Sequence, residues 1–282
     1  MALADSVPGV SGGTIAFLLG FYDKFIGSLD ALIKGKREDK IEAIKFLMKI
    51  GIGWIIGFIL SMVFLGSIFE EQIYKISSLF IGFIIFSIPI IIAEERKSIE
   101  KKYKNIIFLL IGVVLVWAIT YFNPALKGGM DISIERLSLG LGLYVFVAGM
   151  VAISAMVLPG ISGSTLLLIF GLYVPIVSAI KEVLTLNLEY MPILIIFGLG
   201  ILTGIFATIR IVKYLLENYR SQTIYMILGL MMGSLYAVIM GPASLKVPKA
   251  PMNLSNFNII YFVIGGVLIL GLQKLKNFFD KK

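Results

Sequence analysis

A polar, glycine-rich break occurs twice in this otherwise oily chain. Pro8-Gly9-Val10-Ser11-Gly12-Gly13-Thr14 runs on to Gly20-Phe21-Tyr22, and Pro159-Gly160-Ile161-Ser162-Gly163-Ser164-Thr165 runs on to Gly171-Leu172-Tyr173. The offset is 151 residues throughout, and seven of fifteen positions are identical. Most other differences exchange one apolar residue for another. In lipid such a break exposes backbone amides, so it survives only where protein buries it or where it lines a wet cavity. Paired breaks in the two halves of a membrane chain are the strongest sequence pointer to a transport site.

The membrane setting rests on composition. Of 282 residues 59% are apolar, and the mean hydropathy is +0.98. Apolar stretches at 46–66, 79–93, 105–122, 137–157, 191–209, 223–240 and 256–273 approach the roughly 20 residues that cross a bilayer. The motif segments, 8–29 and 159–180, are shorter or broken. The expected fold class is therefore an all-α polytopic membrane protein, since the short alternating strands of a membrane β-barrel are absent. Cysteine and histidine are both absent. That excludes disulfides and thiolate sites and removes the commonest general base and metal ligand. The reading is a non-enzyme with no metal and no cofactor. A net charge of +8 in such a chain belongs to cytoplasmic loops rather than to a nucleic-acid partner.

The echo between halves continues beyond the motifs. Gly53, Gly57, Gly82 and Ser87 recur as Gly200, Gly204, Gly229 and Ser234 at an offset of 147, and Asn105-Ile106-Ile107 recurs as Asn258-Ile259-Ile260 at 153. Drifting offsets are what short loop insertions produce, and it is the ordered series that carries weight. The expected organisation is a tandem duplication, with a first repeat over 1–130 and a second over 131–282 of one membrane domain. No cleavable signal peptide is visible. The helix before the second motif has no counterpart before the first, which suggests that the recorded start is trimmed.

Charge distinguishes a parallel from an inverted second half. An inverted arrangement puts eighteen basic residues on one side, among them Lys34 to Lys49, Arg96 to Lys104, Arg210, Lys213, Arg220 and the tail, with six on the other. A parallel half would put the basic tail outside. The positive-inside rule favours the inverted repeat, in the plasma membrane, with basic loops and C-terminus cytoplasmic. This arrangement requires 137–157 and 159–180 to enter and return as a re-entrant or broken-helix pair, and the two motifs to meet near the bilayer midplane.

The motif residues suit an anion. Proline fits a first helical turn, glycines admit close approach of a ligand, and the Ser and Thr hydroxyls cap a helix or donate hydrogen bonds. A helix N-terminus with free N–H groups is a phosphate site in the general case. A soluble P-loop is excluded, because neither motif holds Gly-Lys-Ser/Thr. The bland alternative is that small residues only let helices pack closely. Candidate binding residues are Pro8, Gly9, Ser11, Gly12, Gly13, Thr14, Pro159, Gly160, Ser162, Gly163, Ser164 and Thr165. Arg210, the most deeply set of the cytoplasmic helix-end cations Lys45, Lys49, Arg210 and Lys213, joins them. Asp5 is the candidate for coupling, its alternative being a solvated, idle carboxylate. Asp23 and Lys24 are placed at the interface. Tyr22 and Tyr173 either reach the anion or act as interfacial anchors, and the anchor reading is preferred.

At this point the residues resemble a known family. Ala4-Asp5-Ser6-Val7-Pro8-Gly9-Val10-Ser11-Gly12-Gly13-Thr14-Ile15-Ala16 with Gly20-Phe21-Tyr22 is similar to the N-terminal signature of the bacterial and archaeal polyprenyl-phosphate translocases, the PopT family. Pro159 to Ser164 and Gly229-Leu230-Met231-Met232-Gly233-Ser234-Leu235 also resemble that pattern. The resemblance implies a flippase that returns undecaprenyl phosphate to the cytoplasmic face of the plasma membrane for cell-envelope synthesis. Its partners would be the polyprenyl phosphate lipid and the bilayer. Protons or sodium would couple transport, as no ATP-binding motif exists. A carrier of a small soluble anion such as phosphate or a carboxylate is the alternative. An intramembrane serine hydrolase would need a base that neither motif supplies, and a structural scaffold would leave the paired breaks unexplained.

Overall fold

The computed structural model describes residues 12–121, 139–159, 163, 166–167, 170–184, 186–244 and 248–279. Its regular elements are all helical: α1 Gly12–Leu18, α2 Tyr22–Lys34, α3 Arg37–Glu71, α4 Ile73–Glu94, α5 Ile106–Tyr121, α6 Leu139–Val157, α7 Tyr173–Leu184, α8 Met191–Asn218, α9 Arg220–Met240 and α10 Ile259–Phe279. Five segments are long and apolar enough to cross a membrane, those of α4, α5, α6, α8 and α9, and α10 carries a shorter apolar stretch. The chain is a polytopic helical membrane protein. Each expected apolar segment is helical over most of its described residues, the last starting at Ile259 rather than 256, but several helices outrun their apolar stretch. α3 begins nine residues before 46, where Glu38 and Asp39 complement the positive end of the helix dipole. α8 continues past 209 to Asn218: Val212 and Leu216 still pack into the core, while Arg210, Lys213 and Glu217 lower the hydropathy of those turns.

Three helix seams are closed by glycines. Added Cβ atoms on Gly82 and Gly265 would strike the carbonyls of Phe262 and Leu79, locking α4 to α10. On Gly229 and Gly112 they would strike the carbonyls of Leu109 and Met226, locking α9 to α5. The two seams match position for position: Leu79 and Gly82 map onto Met226 and Gly229 at 147, and Leu109 and Gly112 onto Phe262 and Gly265 at 153. The buried hydroxyls of Ser87 and Ser234 repeat as well, donating to Ile84 O at 2.6 Å and Met231 O at 2.7 Å. Lipid gives apolar helices no reason to associate, so close backbone approach has to supply the attraction. For these glycines, close packing is the whole explanation.

The third seam joins α6 to α8. Gly200 and Gly204 abut the carbonyls of Phe146 and Met150, and Thr208 Oγ1 donates to Ser154 Oγ at 2.6 Å. The residue numbers rise together, so the helices run parallel. Beyond α6 the chain turns back along it: Gly163 lies against Ala152 and Met156, and Tyr144 donates to Phe170 O at 2.7 Å.

Basic segments gather at one end. Arg220 bonds Glu95, Asn105 Nδ2 bonds Ser221 Oγ at 2.8 Å, and Gln273 Nε2 bonds Glu94 at 2.8 Å. The 94–105 connection, the α8–α9 junction and the close of α10 therefore share that end. α4 runs into it and α9, the most deeply buried span, runs away from it.

Candidate functional site

The two motif segments finish in the same local structure. Gly20 has φ 71° and Gly171 has φ 65°, a left-handed conformation that glycine adopts without a Cβ penalty and that ends helices. Around them the backbone bonds correspond one for one at 151. Leu19 N–H donates to Ile15 O (3.0 Å) and Phe170 N–H to Leu166 O (2.9 Å), while Phe21 N–H donates to Ala16 O (3.2 Å) and Leu172 N–H to Leu167 O (2.9 Å). Each motif thus ends in a sharp stop before the helix that follows it, α2 or α7.

One hydrogen bond ties the motifs together. Tyr22, at the close of the first, is 1% exposed and donates through its hydroxyl to Val157 O at 3.0 Å, two residues before Pro159. Phe17 packs edge-on to its ring with centroids 5.6 Å apart. Tyr22 is therefore neither an interfacial anchor nor an anion ligand, since its polar tip is committed to the backbone that opens the second motif. Sequence offered no sign of this, because the acceptor is a main-chain carbonyl. Of the residues singled out, Gly12, Gly13, Pro159 and Gly163 are buried. Gly13 and Met156 line one cavity, and Gly163 touches Met156. Asp5, Pro8, Gly9, Ser11, Gly160, Ser162, Ser164, Thr165 and the side chains of Thr14 and Tyr173 lie outside the described residues.

The cations behave less uniformly than their placement at helix ends suggests. Arg210 is exposed on α8, and Lys45 and Lys49 are exposed on α3. Lys213 instead reaches Asp30 of α2 at 2.6 Å. Arg220, which sequence reading counted only as one more cytoplasmic charge, binds Glu95 through Nε at 2.9 Å and through a second guanidinium nitrogen, and Asp23 at 2.9 Å. A polar cavity of about 110 Å³ lies there among Phe17, Tyr22, Asp23, Glu95 and Arg220. Asp23 is thus a partner of α9, not merely an interfacial charge. Burial opposes ionisation of Glu95, but the hydrogen bond and charge of Arg220, with help from Ser98, outweigh it and hold the carboxyl below its ordinary 4.5.

Removing Arg220 leaves the Glu95 carboxylate, 14% exposed, without the partner that outweighs its burial. Breaking a fully buried pair costs about 3–5 kcal/mol. Arg220 is itself 39% exposed, so solvent screening reduces the expectation for Arg220→Ala to about 1–3 kcal/mol. Lys at 220 recovers only part, because it lacks the planar fork. The sign with pH follows from Glu95. Its lowered folded value stabilises the protein above 4.5, and that contribution disappears as pH falls through the folded value. Unfolding in detergent at pH 7 and at progressively lower pH should show the gap between wild type and Arg220→Ala closing on acidification.

A helical membrane protein whose two matched glycine-rich segments are joined through a buried tyrosine carries the sequence pattern that points to a transport site. The chain is a member of the undecaprenyl phosphate translocase-like family, whose model matches residues 1–255. It is 34% identical over 283 residues to the polyprenyl-phosphate transporter of Staphylococcus aureus (strain NCTC 8325 / PS 47), covering 98% of this chain and 93% of that one. It is 30% identical over 308 residues to the polyprenyl-phosphate transporter of Vibrio cholerae serotype O1 (strain ATCC 39315 / El Tor Inaba N16961), covering 97% and 93%. No solved structure gives a significant match.

Proposed function

We propose that this protein flips polyprenyl phosphate, with undecaprenyl phosphate as the carrier lipid, across the plasma membrane for reuse in envelope synthesis. It is a transporter with no catalytic step. The observation that carries the reading is the Tyr22–Val157 hydrogen bond, which brings the end of one motif to the start of the other in a chain whose family and relatives bear that substrate in their names. Residues 1–130 and 131–282 are two halves of opposite orientation, a reading supported by the matched glycine seams and by the opposed directions of α4 and α9. The basic end faces the cytoplasm, in keeping with the positive-inside rule. Ser11, Thr14, Ser162, Ser164 and Thr165, with neighbouring amides, cradle the phosphate. Even a single charged side chain at the bilayer centre costs about 2.5–3.5 kcal/mol on insertion scales. Replacing the water lost by the phosphate is therefore the protein's main task. Asp5 is the coupling carboxylate, and protons or sodium drive the cycle.

No observation favours the small-anion carrier. The test is transport by the wild-type protein in proteoliposomes, with a fluorescent polyprenyl phosphate in one leaflet and imposed proton or sodium gradients. Lipid movement that survives a large excess of inorganic phosphate is the expected result. Uptake of inorganic phosphate without lipid movement would overturn the reading.

A further inference from the structure

Beside the motifs lies a second, larger cavity, of about 460 Å³, between α2, α3, α6 and α8. Its size falls in the range of small-molecule sites, about 300–1,000 Å³. Every residue lining it is apolar or glycine. Phe25 and Leu29 come from α2, Ile50 and Trp54 from α3, Ile153 from α6 and Ile205 from α8. Gly13, the second residue of α1, is also part of the wall, so the space is continuous with the first motif. Ile55 on its wall is 55% exposed, so the space opens to the surface of a membrane protein and presents an apolar wall there. A cavity this large is a place for hydrocarbon.

We propose that this cavity is the tail subsite of the transported lipid, holding the phosphate-proximal isoprene units while the motifs hold the headgroup. The inference rests on the flippase reading. It commits to the isoprenoid chain rather than to a bilayer acyl chain because the cavity wall includes a motif residue. An occupant there is anchored at its head by the motif, and a bulk phospholipid has no such tether. The apolar lining also explains how one protein moves a charge and a long chain together: the tail never has to leave an apolar surface.

Gly51 of α3 gives the experiment. It lines the cavity, and a Cβ built on it meets nothing within 4 Å. Gly51→Phe therefore plugs the space from a position that can accept a side chain. Gly271 on α10 also has nothing within 4 Å of an added Cβ and lies outside the cavity, so Gly271→Phe is the control. In proteoliposomes Gly51→Phe is expected to cut polyprenyl-phosphate flipping at least tenfold while Gly271→Phe stays near wild type.

A binding readout keeps the test independent of that variant's folding. The chain has two tryptophans, Trp54 and Trp117, so Trp117→Phe leaves Trp54 as the only indole. Its emission is expected to shift saturably on titration with polyprenyl phosphate in detergent. Inorganic phosphate and phosphatidylglycerol should leave it unchanged. A Trp54 response equal for phosphatidylglycerol assigns the cavity to bilayer lipid and overturns the proposal. Full flipping by Gly51→Phe, with a silent Trp54 and an active wild type, overturns the tail subsite and leaves the flippase reading standing. A wild type that moves no lipid overturns both.

Discussion

Alanine at both Ser11 and Ser162 is expected to abolish polyprenyl-phosphate flipping and leave the fold intact. These serines hold the same place in the two motifs, each followed directly by a glycine that the structure describes as buried helix, Gly12 or Gly163. In the proposed site each hydroxyl donates to the phosphate. A hydrogen bond to a charged group contributes about 1.5–3 kcal/mol, so two together are worth about 3–6 kcal/mol. At about 1.4 kcal/mol per factor of ten, transport falls at least a hundredfold. Each single variant should lose less, with the two losses multiplying if the serines grip one phosphate at once. Folding is not at stake, because the motifs are tied by Tyr22 to Val157 and stopped by Gly20 and Gly171, none of which uses a serine hydroxyl. The check is the fluorescent-lipid assay beside a thermal melt in detergent. Transport within about twofold of wild type, from well-folded double variant, would remove the motifs from the binding site.

The matching turn that closes each motif was legible. Gly20 and Gly171 stand at one offset in sequence and adopt one left-handed turn, because only glycine ends a helix that way without strain. The seams were half legible. Gly82 and Gly229 showed themselves as a pair, whereas their partners Gly265 and Gly112 did not, since nothing in a glycine's own position says which helix it faces. Helix ends were the weakest part. Hydropathy marks the lipid-facing span and says little about turns whose charged residues lower it, so α3 and α8 were drawn short.

Comparing the halves of the sequence picks out the repeated motif residues, but it does not find the Arg220 cluster. Arg220, Glu95 and Asp23 come from three distant parts of the chain, and the repeat counterpart of Arg220 is Ile73. Comparing halves therefore cannot find it. Read singly, each charge sits at a helix end, where snorkelling is the ordinary explanation. Only the fold brings the guanidinium between two carboxylates. That asymmetry has a mechanical consequence. Arg220 with Asp23, and Lys213 with Asp30, tie α2, which follows the first motif, to the second half at the basic end. Any motion of α2 away from α8 and α9 has to work against these pairs.

Valine at Gly229 is expected to cost the protein about 3 kcal/mol or more and to prevent it accumulating in folded form. Overpacking a core ordinarily costs about 1–3 kcal/mol, relieved by side chains that swing aside. Here the obstacle is the carbonyl of Leu109, with the Leu109 Cα close behind, and backbone within a helix cannot swing. The only relief is for α9 to move off α5. That would open a seam in the most buried span, where no hydrophobic force draws helices back together. Gly82→Val should do the same to α4 and α10, through the matching carbonyl of Phe262. Even alanine is unfavourable at both positions, although it gains about 1 kcal/mol of helix propensity over glycine. At Gly271, where a Cβ meets nothing, that propensity gain stands unopposed and Gly271→Ala should be neutral or slightly stabilising. Melting temperatures of the three alanine variants in one detergent provide the comparison. If Gly229→Ala melts with Gly271→Ala, the seams are looser than described, and the matched glycines would have to be explained by something other than close approach.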